Sequence, residues 1–135
     1  MSFTLAESAV TANNLGGQGP VLTDPPFLEF SSLQELIPED ICLRITNDSA
    51  YMPSFNPGGG VEFNGLSGEF GNINVISDSN VDLTFMFINK TDNTPYVVPF
   101  FFFTWFDFDQ NQNGNRVETV RLACSSCLYT IETDA

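Results

Sequence analysis

The sequence predicts an all-β fold, an antiparallel β-sandwich or jelly roll, and three observations predict it. Apolar and polar residues alternate around 41–46 and 81–88, the period of a strand with one face inward. Helical spacing is confined to Leu33, Leu36 and Ile37, and Pro38 ends that stretch. Clusters of Gly, Pro, Asn and Asp separate the alternating segments. With 135 residues, 42% of them hydrophobic and 14 of them Phe, the chain has the size and apolar content of one packed domain.

Taken in order, residues 1–26 hold Asn13-Asn14-Leu15-Gly16-Gly17-Gln18-Gly19-Pro20 and then Asp24-Pro25-Pro26. Turn formers at that density exclude a long helix or a central strand, so this stretch reads as an irregular N-terminal arm and 27–135 as the β-sandwich domain. Residues 27–30 read as an edge strand, and 31–37 as one turn of helix at most. Ile41, Leu43 and Ile45 alternate with Cys42, Arg44 and Thr46; Val81, Leu83, Phe85 and Phe87 alternate with Asp82, Thr84, Met86 and Ile88. Residues 68–76, 96–109, 116–123 and 127–132 complete the strands, with a Gly/Pro loop over 51–60 and a turn at Asp92-Asn93-Thr94-Pro95. The run Phe100-Phe101-Phe102-Phe103-Thr104-Trp105-Phe106 puts bulky rings on both faces of its strand. Core packing accounts for such a run better than a ligand platform does, and it predicts a central strand covered on both sides.

Charge narrows the function. Seventeen acids against four bases leave a formal charge of −13 and a pI of about 4.1. Nucleic-acid binding needs clustered cations, and only Arg44, Lys90, Arg116 and Arg121 are present. The chain has no His, which removes the commonest general base, the Ser-His and Cys-His nucleophile pairs and the usual zinc ligand. A non-enzymatic role is therefore expected. The longest apolar run, 97–106, is about half of the ~20 residues a membrane span needs, so no transmembrane segment is expected. Met1-Ser2-Phe3-Thr4-Leu5-Ala6-Glu7 lacks the basic start and apolar stretch of a signal peptide; the expectation is a chain that stays where it is made, or a mature form.

One stretch carries chemistry. Asn113-Gly114 is a strong hairpin signal, because a type I′ turn needs positive φ at both central residues. That register sets Asp109 opposite Glu118, with Asp107 on the same face. Facing carboxylates repel unless a cation sits between them. Read along the chain, Asp107, Asp109, Asn111, Asn113, Asn115 and Glu118 follow the ligand order of an EF-hand loop. Gln112 stands where that loop's sharp-turn Gly belongs, and the flanks read as strands, so only the ligand order is shared. Hard oxygen donors without His or Cys select calcium. The expected metal ligands are Asp107, Asp109, Asn111, Asn113 and Glu118; the alternative is a solvated hairpin whose acids face water.

Other signals are weaker. Cys124-Ser125-Ser126-Cys127 is a CxxC between strand-like segments and lacks the helix N-terminus of a redox catalyst. A disulfide between Cys124 and Cys127, a bridge from either to Cys42, and three reduced thiols all remain open. Three Cys without His leave a zinc site one ligand short. Asn47-Asp48-Ser49 and Asn89-Lys90-Thr91 match the glycosylation pattern, as chance allows in a chain rich in Asn, Ser and Thr. The segment Tyr51-Met52-Pro53-Ser54-Phe55-Asn56-Pro57 offers interface-type anchors on a Pro-stiffened loop, unless Tyr51 and Phe55 fold back onto the sandwich edge.

Three stretches together carry a resemblance: Thr11-Ala12-Asn13-Asn14-Leu15-Gly16-Gly17-Gln18-Gly19-Pro20, Val81-Asp82-Leu83-Thr84-Phe85 and Phe103-Thr104-Trp105-Phe106-Asp107-Phe108-Asp109-Gln110. Over residues 10–122 the chain resembles a group of small β domains of marine algae such as diatoms, dinoflagellates and haptophytes. The resemblance implies an algal source and an extracellular or organelle-lumenal location, the plastid included. It also implies that Asp107, Asp109 and Glu118 act as a unit, and it implies no particular activity.

The expected function is a non-enzymatic, acidic, calcium-binding β-sandwich serving as a structural or interaction subunit of a larger protein assembly. The alternative is a calcium-dependent carbohydrate-binding module, with Tyr51 or Tyr96 as the sugar platform. An enzyme using Asp107 and Asp109 as a carboxylate pair ranks last, since nothing in the sequence marks a substrate cleft.

Overall fold

A computed structural model describes residues 5, 8–33, 37–54, 64–99, 101–105 and 119–123. The fold is all-β and antiparallel, with the architecture of a sandwich and no closed barrel among the described residues. The described residues form seven strands: β1 (Ala9–Asn13), β2 (Leu28–Ser31), β3 (Ile41–Asn47), β4 (Gly65–Ser67), β5 (Phe70–Asn72), β6 (Leu83–Asn89) and β7 (Thr94–Pro95). Five form one sheet in the order β1-β2-β3-β6-β7, and β4 pairs with β5 in a second. The only helical element among the described residues is a 3-10 turn at Leu15–Gly17. The chain forms two compact units, Met1–Phe103 and Thr104–Ala135. Both sheets belong to the first, and the described residues of the second carry no strand.

Alternation in β3 and β6 sets the register. Leu43 lies opposite Phe87, and Ile45 opposite Phe85; on the other side of β3, Leu43 faces Phe30 and Ile45 faces Leu28. These apolar rows form one inner face, completed by Leu15, Leu33, Ile37, Ile41 and Tyr51. The β4–β5 hairpin lies on the same side, where a Cβ on Gly71 would come within 3.4 Å of the Phe30 ring. The opposite face runs through Glu29, Arg44 and Met86, and through Cys42 and Ile88. Glu29, Cys42 and Ile88 are buried, so β2 and β3 are enclosed on both faces.

Several expectations change. Within residues 1–26, where the sequence suggests only an irregular arm, β1 pairs with β2 through a bulge between Val10 and Ala12. It forms the edge of the main sheet, and β2, expected at an edge, lies between β1 and β3. Residues 68–76 were expected as one strand, but β5 stops at Asn72 because Asn74 turns aside to bond Tyr51 and Asn64. The central strand expected over 96–109 is not formed in its described part: 96–99 and 101–105 are not strand, although Tyr96 N–H continues the β7 pairing by one bond to the Phe87 carbonyl at 2.8 Å. Pro99 within that stretch lacks an N–H for a ladder. Nor is it covered on both sides. The rings of Phe101 and Phe103 meet Phe87 and Phe85 edge to face at 5.1 Å, while Phe102 between them is 59% exposed. The described part of the expected 116–123 strand, residues 119–123, is likewise not a strand. Residues 34–36, 106–109, 116–118 and 127–132 lie outside the described residues.

Candidate functional site

The calcium ligands read from the sequence, Asp107, Asp109, Asn111, Asn113 and Glu118, lie outside the described residues, as do Phe55, Cys124 and Cys127. Among the described residues no group of three His, Cys, Asp or Glu side chains converges on a metal position. Two polar centres are described, one on each side of the main sheet.

The first is built on Tyr51. The chain leaving β3 brings this residue into the core at 4% exposure, so it is neither a surface anchor nor a sugar platform. Gly16 lets it in: with φ +61, Gly16 presents no Cβ, and one placed there would sit 3.1 Å from the Tyr51 ring and Cβ. A phenol in the core needs a polar partner, and it has two. Its hydroxyl donates to the Asn74 carbonyl at 2.5 Å and accepts from Asn64 Nδ2 at 2.8 Å. Asn64, 4% exposed, then accepts at Oδ1 from the Asn74 backbone N–H (2.8 Å), and its own carbonyl accepts from Asn13 Nδ2 (2.7 Å). Burial pushes the Tyr51 phenol up, against the opposing pull of the Asn64 bond, so it stays protonated at neutral pH. A second buried amide, Asn14, closes the N-terminal loop: it donates to the Asp24 carbonyl (2.7 Å) and accepts from Gly19 N–H (2.8 Å).

The second centre lies on the opposite face. Arg44 donates from Nε to Glu29 Oε2 at 2.8 Å, and its terminal nitrogen meets the same oxygen at 2.8 Å. Thr11 donates to the other carboxylate oxygen at 2.9 Å. The guanidinium also stacks 4.2 Å over the Phe27 ring and donates to Asn93 Oδ1 at 2.7 Å. Burial opposes ionisation of Glu29, but bonds from Arg44 and Thr11 and the nearby Cys42 thiol outweigh it and hold the carboxyl below its usual range. Cys42 is a free, buried thiol, pushed up to about 11 by burial and by the Glu29 carboxylate beside it. No bridge to Cys42 is formed, and a protonated thiol is a poor nucleophile and metal ligand.

Both centres hold strands together. Arg44 links β2, β3 and the turn before β7, while Asn64 links β1 to the segment after β5. No family model, curated protein or solved structure matches the chain. The reading of function therefore rests on the residues themselves. Sequence reasoning missed Asn13, Asn14, Asn64 and Asn74, whose type signals turns and whose partners lie far along the chain. The alternation that places Arg44 and Glu29 on one face was the available signal for the ion pair.

Proposed function

We propose that the protein is a non-enzymatic, acidic β domain that uses calcium to stabilise its 107–118 hairpin and acts as a structural or interaction subunit of a larger assembly. The observation that carries the interaction role is the segment after β7. Phe101 and Phe103 lie on β6, while Val97 and Phe102 are 82% and 59% exposed. Apolar side chains held outward on a chain of charge −13 mark a contact surface, because like charge keeps copies apart and an apolar or basic partner relieves both costs. Calcium is supported by the sequence alone: a two-residue turn at Asn113-Gly114 would set Asp109 against Glu118.

Two measurements test the reading. Thermal melting with millimolar calcium should exceed melting in chelator; a site of about 0.1 mM affinity adds on the order of 1.4 kcal/mol. Asp109→Ala should lose that response, and equal melting in both buffers would remove the site. Tagged chain in extracts of its native cells should elute well above the monomer mass, and Phe102→Ser should return it to the monomer position. Monomer elution of the unaltered chain would end the subunit reading. A calcium-dependent carbohydrate module is the second reading, favoured by Tyr96, which stays on the surface where Tyr51 does not. Calcium-dependent glycan retention, lost in Tyr96→Ala, would put it first.

A further inference from the structure

Asn64 is followed by Gly65, and that dipeptide has its own chemistry. The backbone nitrogen of the residue after an Asn can attack the side-chain Cγ. The Cγ–Nδ2 bond breaks, ammonia leaves with the amide proton, and a five-membered succinimide forms. Water then opens the ring at either carbonyl, giving aspartate or isoaspartate. One water is consumed, one ammonia is released, and nothing is oxidised or reduced. Glycine at the second position favours closure, because it carries no Cβ to obstruct the approach and turns freely.

We propose that Asn64-Gly65 is a deamidation site gated by the fold, shut by the Tyr51 centre and opened when that centre breaks. Every group the reaction must move is held. The departing Nδ2 donates to the Tyr51 hydroxyl, and Oδ1 accepts from Asn74 N–H. The Asn64 carbonyl accepts from Asn13, and the attacking nitrogen belongs to Gly65, fixed opposite Asn72 at the start of β4 with φ +129. Asn64 is 4% exposed, so the water that hydrolyses the ring is kept out as well. Ring closure needs the side chain to leave these bonds together. The native rate therefore follows the population of the open form.

The product cannot rebuild the centre. An aspartate at 64 has no N–H to give the Tyr51 oxygen and places a charge in the core. An isoaspartate adds a main-chain carbon just before β4 and shifts Gly65–Ser67 against Phe70–Asn72. Opening thus leaves a permanent chemical mark at one residue.

The test incubates the full chain in mildly alkaline buffer, native and in urea, and maps peptides by mass spectrometry over time. Fragmentation or an isoaspartate-specific methyltransferase separates the two products. The Asn64 peptide should convert at least about tenfold more slowly in the native chain than in urea. In native buffer Tyr51→Phe, which removes the hydroxyl, and Asn13→Ala, which frees the Asn64 carbonyl, should each convert faster than the parent chain. Equal rates for the parent chain in native buffer and in urea would overturn the gate, as would no conversion in urea. If either variant fails to fold, the parent-chain comparison decides alone.

Discussion

Burial and the Glu29 carboxylate raise the Cys42 thiol from about 9 to about 11, which ties one atom to alkaline stability. Between those values the unfolded chain has released its proton and the folded chain has kept it, so stability falls as pH rises through the window and is fully present below it. Urea unfolding followed across that range should show the decline, and Cys42→Ala should flatten it, leaving the loss that Tyr51 causes at higher pH. An unchanged slope in the variant would place the effect elsewhere. Individual residues were the least legible part of the sequence. Tyr51 sits among Met52, Pro53 and Pro57 like an exposed anchor, and only the approach of Gly16 and Asn64 from distant positions makes it a core residue.

At the scale of elements, Arg44 is the rivet between β2 and β3. Arg44→Met would leave the Glu29 carboxylate enclosed without its cation, at a cost of about 2 kcal/mol; the figure is at the low end because the arginine is partly exposed. Pairing it with Glu29→Met should cost less than the sum of the single changes, and strict additivity in urea melts would show that the two groups do not act together. Acid works through the same carboxylate. Glu29 is held below its ordinary 4.5, so its contribution is present above that value and fades as pH falls through the folded one. β3 and β6 were readable because each keeps a strict period of two, with Leu43 and Ile45 meeting Phe87 and Phe85. The aromatic segment was not. Its composition favours a strand, but Pro99 lacks an N–H for a ladder, and the rings of Phe101 and Phe103 meet Phe87 and Phe85 without the segment becoming a strand among the described residues.

For the whole molecule, the all-β class followed from alternation and turn spacing, whereas the sheet order did not, because no local signal pairs β3 with a strand across the intervening β4–β5 hairpin. Charge is the other whole-chain property. With −13 spread over 135 residues, self-repulsion opposes the folded state and salt screens it. Raising sodium chloride in a calcium-free buffer should raise the melting temperature and then level off. A fall would mean that attractive pairs such as Glu29 with Arg44 outweigh the repulsion.

The longest strand pairing joins residues far apart in sequence: Cys42 bonds the Ile88 carbonyl from 46 positions away. A ribosome therefore delivers the β1–β2–β3 meander well before the partner that closes it. Until β6 emerges, the far side of β3 offers open amides beside Ile41, Leu43 and Ile45, a template for any neighbouring strand. Closing that gap costs loop entropy before any contact repays it, which places the chain among slow, topology-limited folders. Its vulnerable period is thus its synthesis, when half a sheet is waiting for the strand that completes it.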